Sequence, residues 1–179
     1  MTTYVALLRG INVGGHKKVP MAALRELLTE LGHGDVRTLL QSGNAVFTSA
    51  EKNRAKLVAG LEQALADRFG FEVRCIVLDT AELRAVADRN PFPPGSFEPS
   101  KLVVIFLTGP VDPGKLSGLD PEAYLPDEFH PGEREIYVHC PNGLGTSKLM
   151  PALGKVRLGV EGTARNWNTV TKLLAMMEN

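Results

Sequence analysis

The strongest constraint on this chain is the order of its punctuation. Apolar runs, helical periodicities and glycine or proline stops succeed one another in the same order on both sides of a proline-rich break. Residues 3–8 (TYVALL) form a continuous apolar run of strand length. After a glycine-rich loop at 9–19, Met21, Leu24, Leu27, Leu28 and Leu31 recur at helical spacing, with Pro20 suited to the first turn and Gly32 to a left-handed stop. Residues 36–40 and 45–48 read as short strands joined through Gln41-Ser42-Gly43-Asn44, a turn-type cluster that makes them a hairpin. Thr48-Ser49-Ala50-Glu51 fits a capping box ahead of Leu57, Leu61, Leu65 and Phe69, and Gly70 ends that helix. Residues 72–78 alternate as a strand, and Asp79-Thr80-Ala81-Glu82 opens a further helix that stops at Asn90-Pro91.

That order is β-α-β-β-α-β with one added helix, the pattern of a ferredoxin-like plait. Residues 88–100 then break the periodicity with four prolines, which makes this stretch the expected linker. The order resumes beyond it. Residues 101–107 read as a strand, 113–119 as a short helix, and 136–140 as a strand paired near 127–130. Residues 148–157 read as a helix that tolerates Pro151 in its first turns, 163–165 as a last strand and 168–177 as a closing helix with Val170, Leu173, Leu174 and Met177 on one face. The expectation is an α+β protein of two tandem ferredoxin-like (βαββαβ) modules, each with an appended helix: residues 1–90, a proline-rich linker at 91–100, and residues 101–179. In the 4-1-3-2 antiparallel order of such a plait, residues 9–18 neighbour 41–44, and 143–148 neighbour 165–169. If those two polar edges turn together, they make one composite site in a groove between the modules.

Charge excludes some functions and localises others. Lys plus Arg equals Asp plus Glu at 20 each, so net charge gives no long-range pull toward nucleic acid or an anionic membrane. The distribution is uneven: residues 1–25 hold four basic residues and no acid, whereas 112–135 hold seven acids against Lys115 and Arg134. No apolar run approaches the roughly 18–20 residues of a spanning helix, and the N-terminus reads as a strand rather than a signal peptide. Cys75 and Cys140 form neither a CxxC pair nor a disulfide framework, so a reducing cytoplasm is expected and no membrane partner is.

Four polar stretches carry the candidate chemistry. In RGINVGGHKK, Arg9, Asn12, Gly14, Gly15, His16, Lys17 and Lys18 could surround an anion or form a solvated basic turn; the glycine spacing fits neither a P-loop nor a dinucleotide fingerprint. Gln41, Ser42 and Asn44 suit a hairpin turn at least as well as a ligand. In GLGTSK, Ser147 or Thr146 can cap the helix while Lys148 supplies positive charge. In RNWNT, Asn166 or Asn168 can cap and Trp167 can plug, while Arg165 beside two carboxamides could also read a phosphate or carboxylate. From 143 to 172 there are five cations, Lys148, Lys155, Arg157, Arg165 and Lys172, against the single acid Glu161. No metal-ligand spacing and no catalytic constellation are present.

These motifs together, ALLRGINVGG, HKKVPM, DVRTLLQSGNAVF, GLGTSKL and T-x-RNWNTV-x-KLL, resemble the bacterial family registered as domain of unknown function 1697. The resemblance implies paired ferredoxin-like modules and no particular activity or cofactor. Its motif members are Arg9, Gly10, Asn12, Gly14, Gly15, Gln41, Ser42, Gly43, Asn44, Ser147, Lys148, Arg165, Asn166, Trp167 and Asn168. The function expected from the residues is binding of an anionic, phosphorylated small molecule or nucleotide. Single-stranded nucleic-acid binding, with Tyr4 and Phe47 as stacking candidates, and a transferase using the same cations are the alternatives.

Overall fold

The computed structural model describes residues 1–179 and is an α+β protein with two four-stranded antiparallel sheets and five α-helices. The chain divides into two compact units, Met1–Ala85 with Lys172–Asn179, and Val86–Thr171. In the first, β1 (Thr2–Leu8) runs between β3 (Asn44–Ser49) and β4 (Cys75–Asp79), and β2 (Gly34–Leu39) lies outside β3. The order β2-β3-β1-β4 is the one expected from the succession of elements.

β1 is apolar from Tyr4 to Leu8 because neither face of that stretch meets water. Tyr4, Ala6 and Leu8 enter the core beside Leu24, Leu27 and Leu28 of α1 (Met21–Glu30) and Leu57, Leu61 and Leu65 of α2 (Arg54–Phe69). Val5 and Leu7, on the opposite face, are buried as well. Tyr4 stands across from Phe47 on β3 with ring centroids 5.9 Å apart, a cross-strand aromatic pair inside the core. Helix α1 stops as its sequence predicts: Gly32 turns left-handed, and the N–H groups of Gly32 and His33 bond back to the carbonyls of Thr29 and Leu28.

The start of α2 corrects the capping-box expectation. Thr48 and Ser49 are held in β3 by pairing with Thr3 and Thr2, and the cap is Asn53, whose side chain accepts the Lys56 N–H at 3.1 Å. Ser49 and Glu51 side chains accept the N–H groups of Glu51 and Asn53 and carry the chain between strand and helix. Helix α3 (Thr80–Asp88) begins as expected, with Asp79 accepting the Glu82 N–H.

In the second unit β5 (Leu102–Leu107) lies between β7 (Glu135–His139) and β8 (Gly162–Asn166), with β6 (Glu128–Pro131) outside β7, so the same order recurs. Val103, Leu107, Ile136 and Val138 pack with Leu149 and Leu153 of α4 (Leu149–Lys155). The helix expected over 113–119 is instead a 3₁₀ turn at Pro113–Leu116, followed by another at Pro121–Tyr124. Gly114 and Gly118 make an α-helix of that length too costly, while Asp112 and Asp120 favour the short turns by accepting the N–H groups of Gly114 and Glu122. The stretch 91–100, expected as a linker, is part of this unit's packing: Phe92 is buried, with its ring 5.4 Å from His130 and 5.3 Å from His139. Helix α5 (Trp167–Glu178) starts here, and its residues from Lys172 on group with the first unit. No helix is long and apolar enough to cross a membrane.

Candidate functional site

In the first unit the glycine loop and the β2–β3 hairpin are neighbours, and the joint between them is Asn12. Its backbone is left-handed at φ 55, a conformation asparagine tolerates better than most residues. Its Nδ2 donates to the carbonyls of Val19 and Gln41 at 2.9 and 2.7 Å, and its Oδ1 accepts the Val19 N–H at 2.8 Å. Gly14 and Gly15 are the two left-handed residues of a tight turn closed by Val13 and His16, the type I′ geometry that selects glycine. Asn44 is fully buried on β3 and donates to the Leu39 carbonyl at 2.7 Å and to Ser42 Oγ at 3.1 Å. The two asparagines therefore hold loops in place rather than standing ready for a ligand. The exposed polar groups of this edge are Arg9, His16, Lys17, Lys18, Gln41 and Ser42, with Lys17 Nζ donating to the Glu72 carbonyl at 3.2 Å.

In the second unit Asn166 is the cap of α5, its Oδ1 accepting the N–H and the hydroxyl of Thr169 at 3.0 and 3.1 Å. Trp167 meets Phe97 edge to face at 6.1 Å, and Asn168 is exposed on the first turn. Arg165, on β8 opposite Val104, is 6% exposed and donates to Thr163 Oγ1 at 2.8 Å and to the Ala164 carbonyl at 3.0 Å. Burial pulls its pKa down to about 10, so it remains a cation at neutral pH.

Ser147 stands one residue before Lys148, the N-cap of α4, and serves the helix's first turn. Its Oγ accepts the N–H groups of Leu149 and Met150 at 3.1 and 3.2 Å and donates to buried Asp127 at 2.8 Å. The Cys140 thiol donates to the same oxygen at 3.4 Å. Burial, with the Asp127 charge adding to it, raises the Cys140 pKa, which keeps the thiol neutral and unreactive. Cys75 is likewise a buried free thiol pushed upward by burial and by Glu62.

Lys148 differs from all these residues, because it lines a cleft of about 680 Å³ within the second unit. Lys148, the residue before α4, lines that space with Pro151, Ala152 and Lys155 of the helix, three, four and seven positions on and therefore on one helical face. Lys115 and Tyr124, from the two 3₁₀ turns, and Arg157, two residues beyond α4, line it as well. Four cations line the cleft and no acid does. Lys115 Nζ donates to the Leu158 carbonyl at 3.2 Å, and none of the four cations has an ion-pair partner. Like charges gathered in this way repel one another, and an anion in the cleft relieves that repulsion. The volume falls within the range of small-molecule sites.

The sequence points to Lys148, Lys155 and Arg157 through their place in a cation-rich run. It gives no comparable signal for Lys115 or Tyr124, which lie in the acid-rich stretch. The seven-residue spacing of Lys148 and Lys155 around Pro151 and Ala152 is the one pattern from which this face could be read.

The chain belongs to the family described as protein of unknown function (DUF1697), whose model matches residues 1–137. That span holds the glycine loop and the QSGN hairpin. A conserved bacterial protein from Streptococcus pneumoniae of known structure is similar over the whole chain and 99% of its own length, at 28% identity and a TM-score of 0.79. This likeness extends through the residues of α4, β8 and α5. No curated protein matches the chain.

Proposed function

We propose that this protein is a binding module for an anionic, phosphorylated small molecule, held in the basic cleft of its second unit. The observation that carries the reading is that Lys148, Lys155 and Arg157 line one concave space with Lys115, while no carboxylate lines it. Lysines bind phosphate as strongly hydrated point charges, and Arg157 adds a planar fork able to grip two phosphate oxygens at once. The succession of elements and the repeated strand order support reading each unit as a ferredoxin-like module, the second with its first helix reduced to 3₁₀ turns. Stacking of single-stranded nucleic acid on the first sheet has little support, since Tyr4 and Phe47 are 3% and 0% exposed and lie in the core.

The test is ligand-induced stabilisation. A ligand present at about 100 times its Kd adds about 2.7 kcal/mol to the stability of the unit that binds it. Orthophosphate, pyrophosphate, sugar phosphates and nucleotides are screened by thermal unfolding against the wild type and the triple variant Lys148→Gln/Lys155→Gln/Arg157→Gln. At least one compound should raise the wild-type Tm by several degrees and leave the variant unmoved. A flat response to the whole panel, or an equal rise in the variant, overturns the assignment.

A further inference from the structure

We infer that the cleft selects a ligand with at least two linked phosphates on an aromatic body, the chemistry of a nucleoside di- or triphosphate; this rests on the reading of the cleft as an anion site. A phosphate monoester carries between one and two negative charges near neutral pH, about −1.5 to −2. The four cations of the cleft, none of them paired with a carboxylate, therefore exceed what one such group neutralises. A second linked phosphate brings the ligand closer to the charge of the site.

Lys148, the residue before α4, and Lys155, its last residue, are seven positions apart, about 10 Å along the helix axis at 1.5 Å per residue. Cations at both ends of a helix face suit an elongated anion better than a compact one, because each lysine can then bond a different phosphate without folding back along the surface.

Pro151 and Ala152 lie between the two lysines in sequence and give the cleft apolar lining, to which Leu119 and the half-buried Tyr124 add. The Tyr124 carbonyl accepts the Asp127 N–H at 2.8 Å, and Asp127 in turn accepts from Ser147 at the start of α4. Tyr124 and the start of α4 are thus tied together before any ligand arrives, which lowers the cost of binding. An inorganic anion would leave this apolar surface uncovered, whereas a base or comparable ring would cover it and stack against Tyr124.

Isothermal titration calorimetry of the full chain, at fixed ionic strength and with chelator present, tests this. Pyrophosphate, adenosine, AMP and ADP are compared, together with the matching uridine series. In at least one series the diphosphate is expected to bind at least about tenfold more tightly than both the monophosphate and pyrophosphate. Lys155→Gln should weaken the diphosphate more than the monophosphate, and Tyr124→Leu should weaken the diphosphate while leaving pyrophosphate unchanged. If pyrophosphate equals the diphosphate in both series, the aromatic body contributes nothing; if the monophosphate equals it, the second phosphate contributes nothing. Either result overturns the inference while the anion site stands. Absence of binding by every phosphate compound overturns the anion site as well.

Discussion

Replacing Gly43 with alanine tests how closely the hairpin presses on the glycine loop. Two costs apply. Gly43 has φ 90, and placing a Cβ on a left-handed residue costs about 1–2 kcal/mol. The new Cβ would also stand 2.6 Å from Ile11 Cδ1 and 2.9 Å from Leu8 Cβ. Ile11 can give at its far end, but Leu8 Cβ is fixed to the central strand, and both residues are only 1% exposed. Overpacking of this kind typically costs about 1–3 kcal/mol, so the total is about 2–5 kcal/mol. Gly32→Ala supplies the control, since Gly32 has the same φ of 90 with nothing within 4 Å of its added Cβ and should lose only the first amount. Native-state hydrogen exchange is the assay, read at the Leu8 amide, which bonds to the Gly43 carbonyl at 2.9 Å. If the two variants lower the opening free energy of this amide by the same amount, the close approach of hairpin and loop is refuted.

Asn12→Ala removes three side-chain hydrogen bonds from the loop, each worth about 1 kcal/mol net, and should speed exchange at the Val19 amide by at least tenfold; unchanged exchange there would show that Asn12 does not hold the loop. His33 lies beside Phe47 with ring centroids 4.7 Å apart, and burial lowers its pKa, so the folded state favours the neutral imidazole. The stability this confers is complete above the unfolded value of about 6.5 and is lost as pH falls through the lower folded value. Relative to His33→Gln, the wild type should therefore lose urea resistance as pH falls below about 6.5, and parallel behaviour of the two proteins would contradict the assignment. Arg89 donates to the Glu135 carboxylate at 2.8 and 3.1 Å, and Glu135 is 1% exposed. Arg89→Ala should cost about 3 kcal/mol by urea denaturation, the low end for a broken buried pair because solvent reaches the guanidinium, and adding Glu135→Gln should recover part of it.

Much of the architecture is legible because it depends on local chemistry. TYVALL can only be a strand covered on both faces, and Leu24, Leu27 and Leu28 ahead of Gly32 can only be a helix with one buried face and a left-handed stop. The capping box at 48–51 fails because tertiary pairing claims Thr48 and Ser49 for β3 before they can cap anything. The asparagines of the motifs are ambiguous for a different reason. A carboxamide in a sequence reads the same whether it will face a ligand or a main-chain carbonyl, and the partners of Asn12 and Asn44 exist only once the loops have closed. The cleft is half legible: Lys148 and Lys155 show their common face by spacing, whereas Lys115 is hidden among acids. Two of those acids, Asp112 and Asp120, accept backbone N–H groups of the 3₁₀ turns, and no acid lines the cleft.

The most direct test of the account is to find where a phosphate anion binds. In a pyrophosphate titration followed residue by residue by NMR, the amides of Lys115, Tyr124, Lys148, Lys155 and Arg157 are predicted to shift together and saturate with one affinity. Saturating shifts confined to Arg9, His16, Lys17 and Lys18, with those five amides still, would place the anion on the glycine loop and contradict the assignment of the site to the second unit.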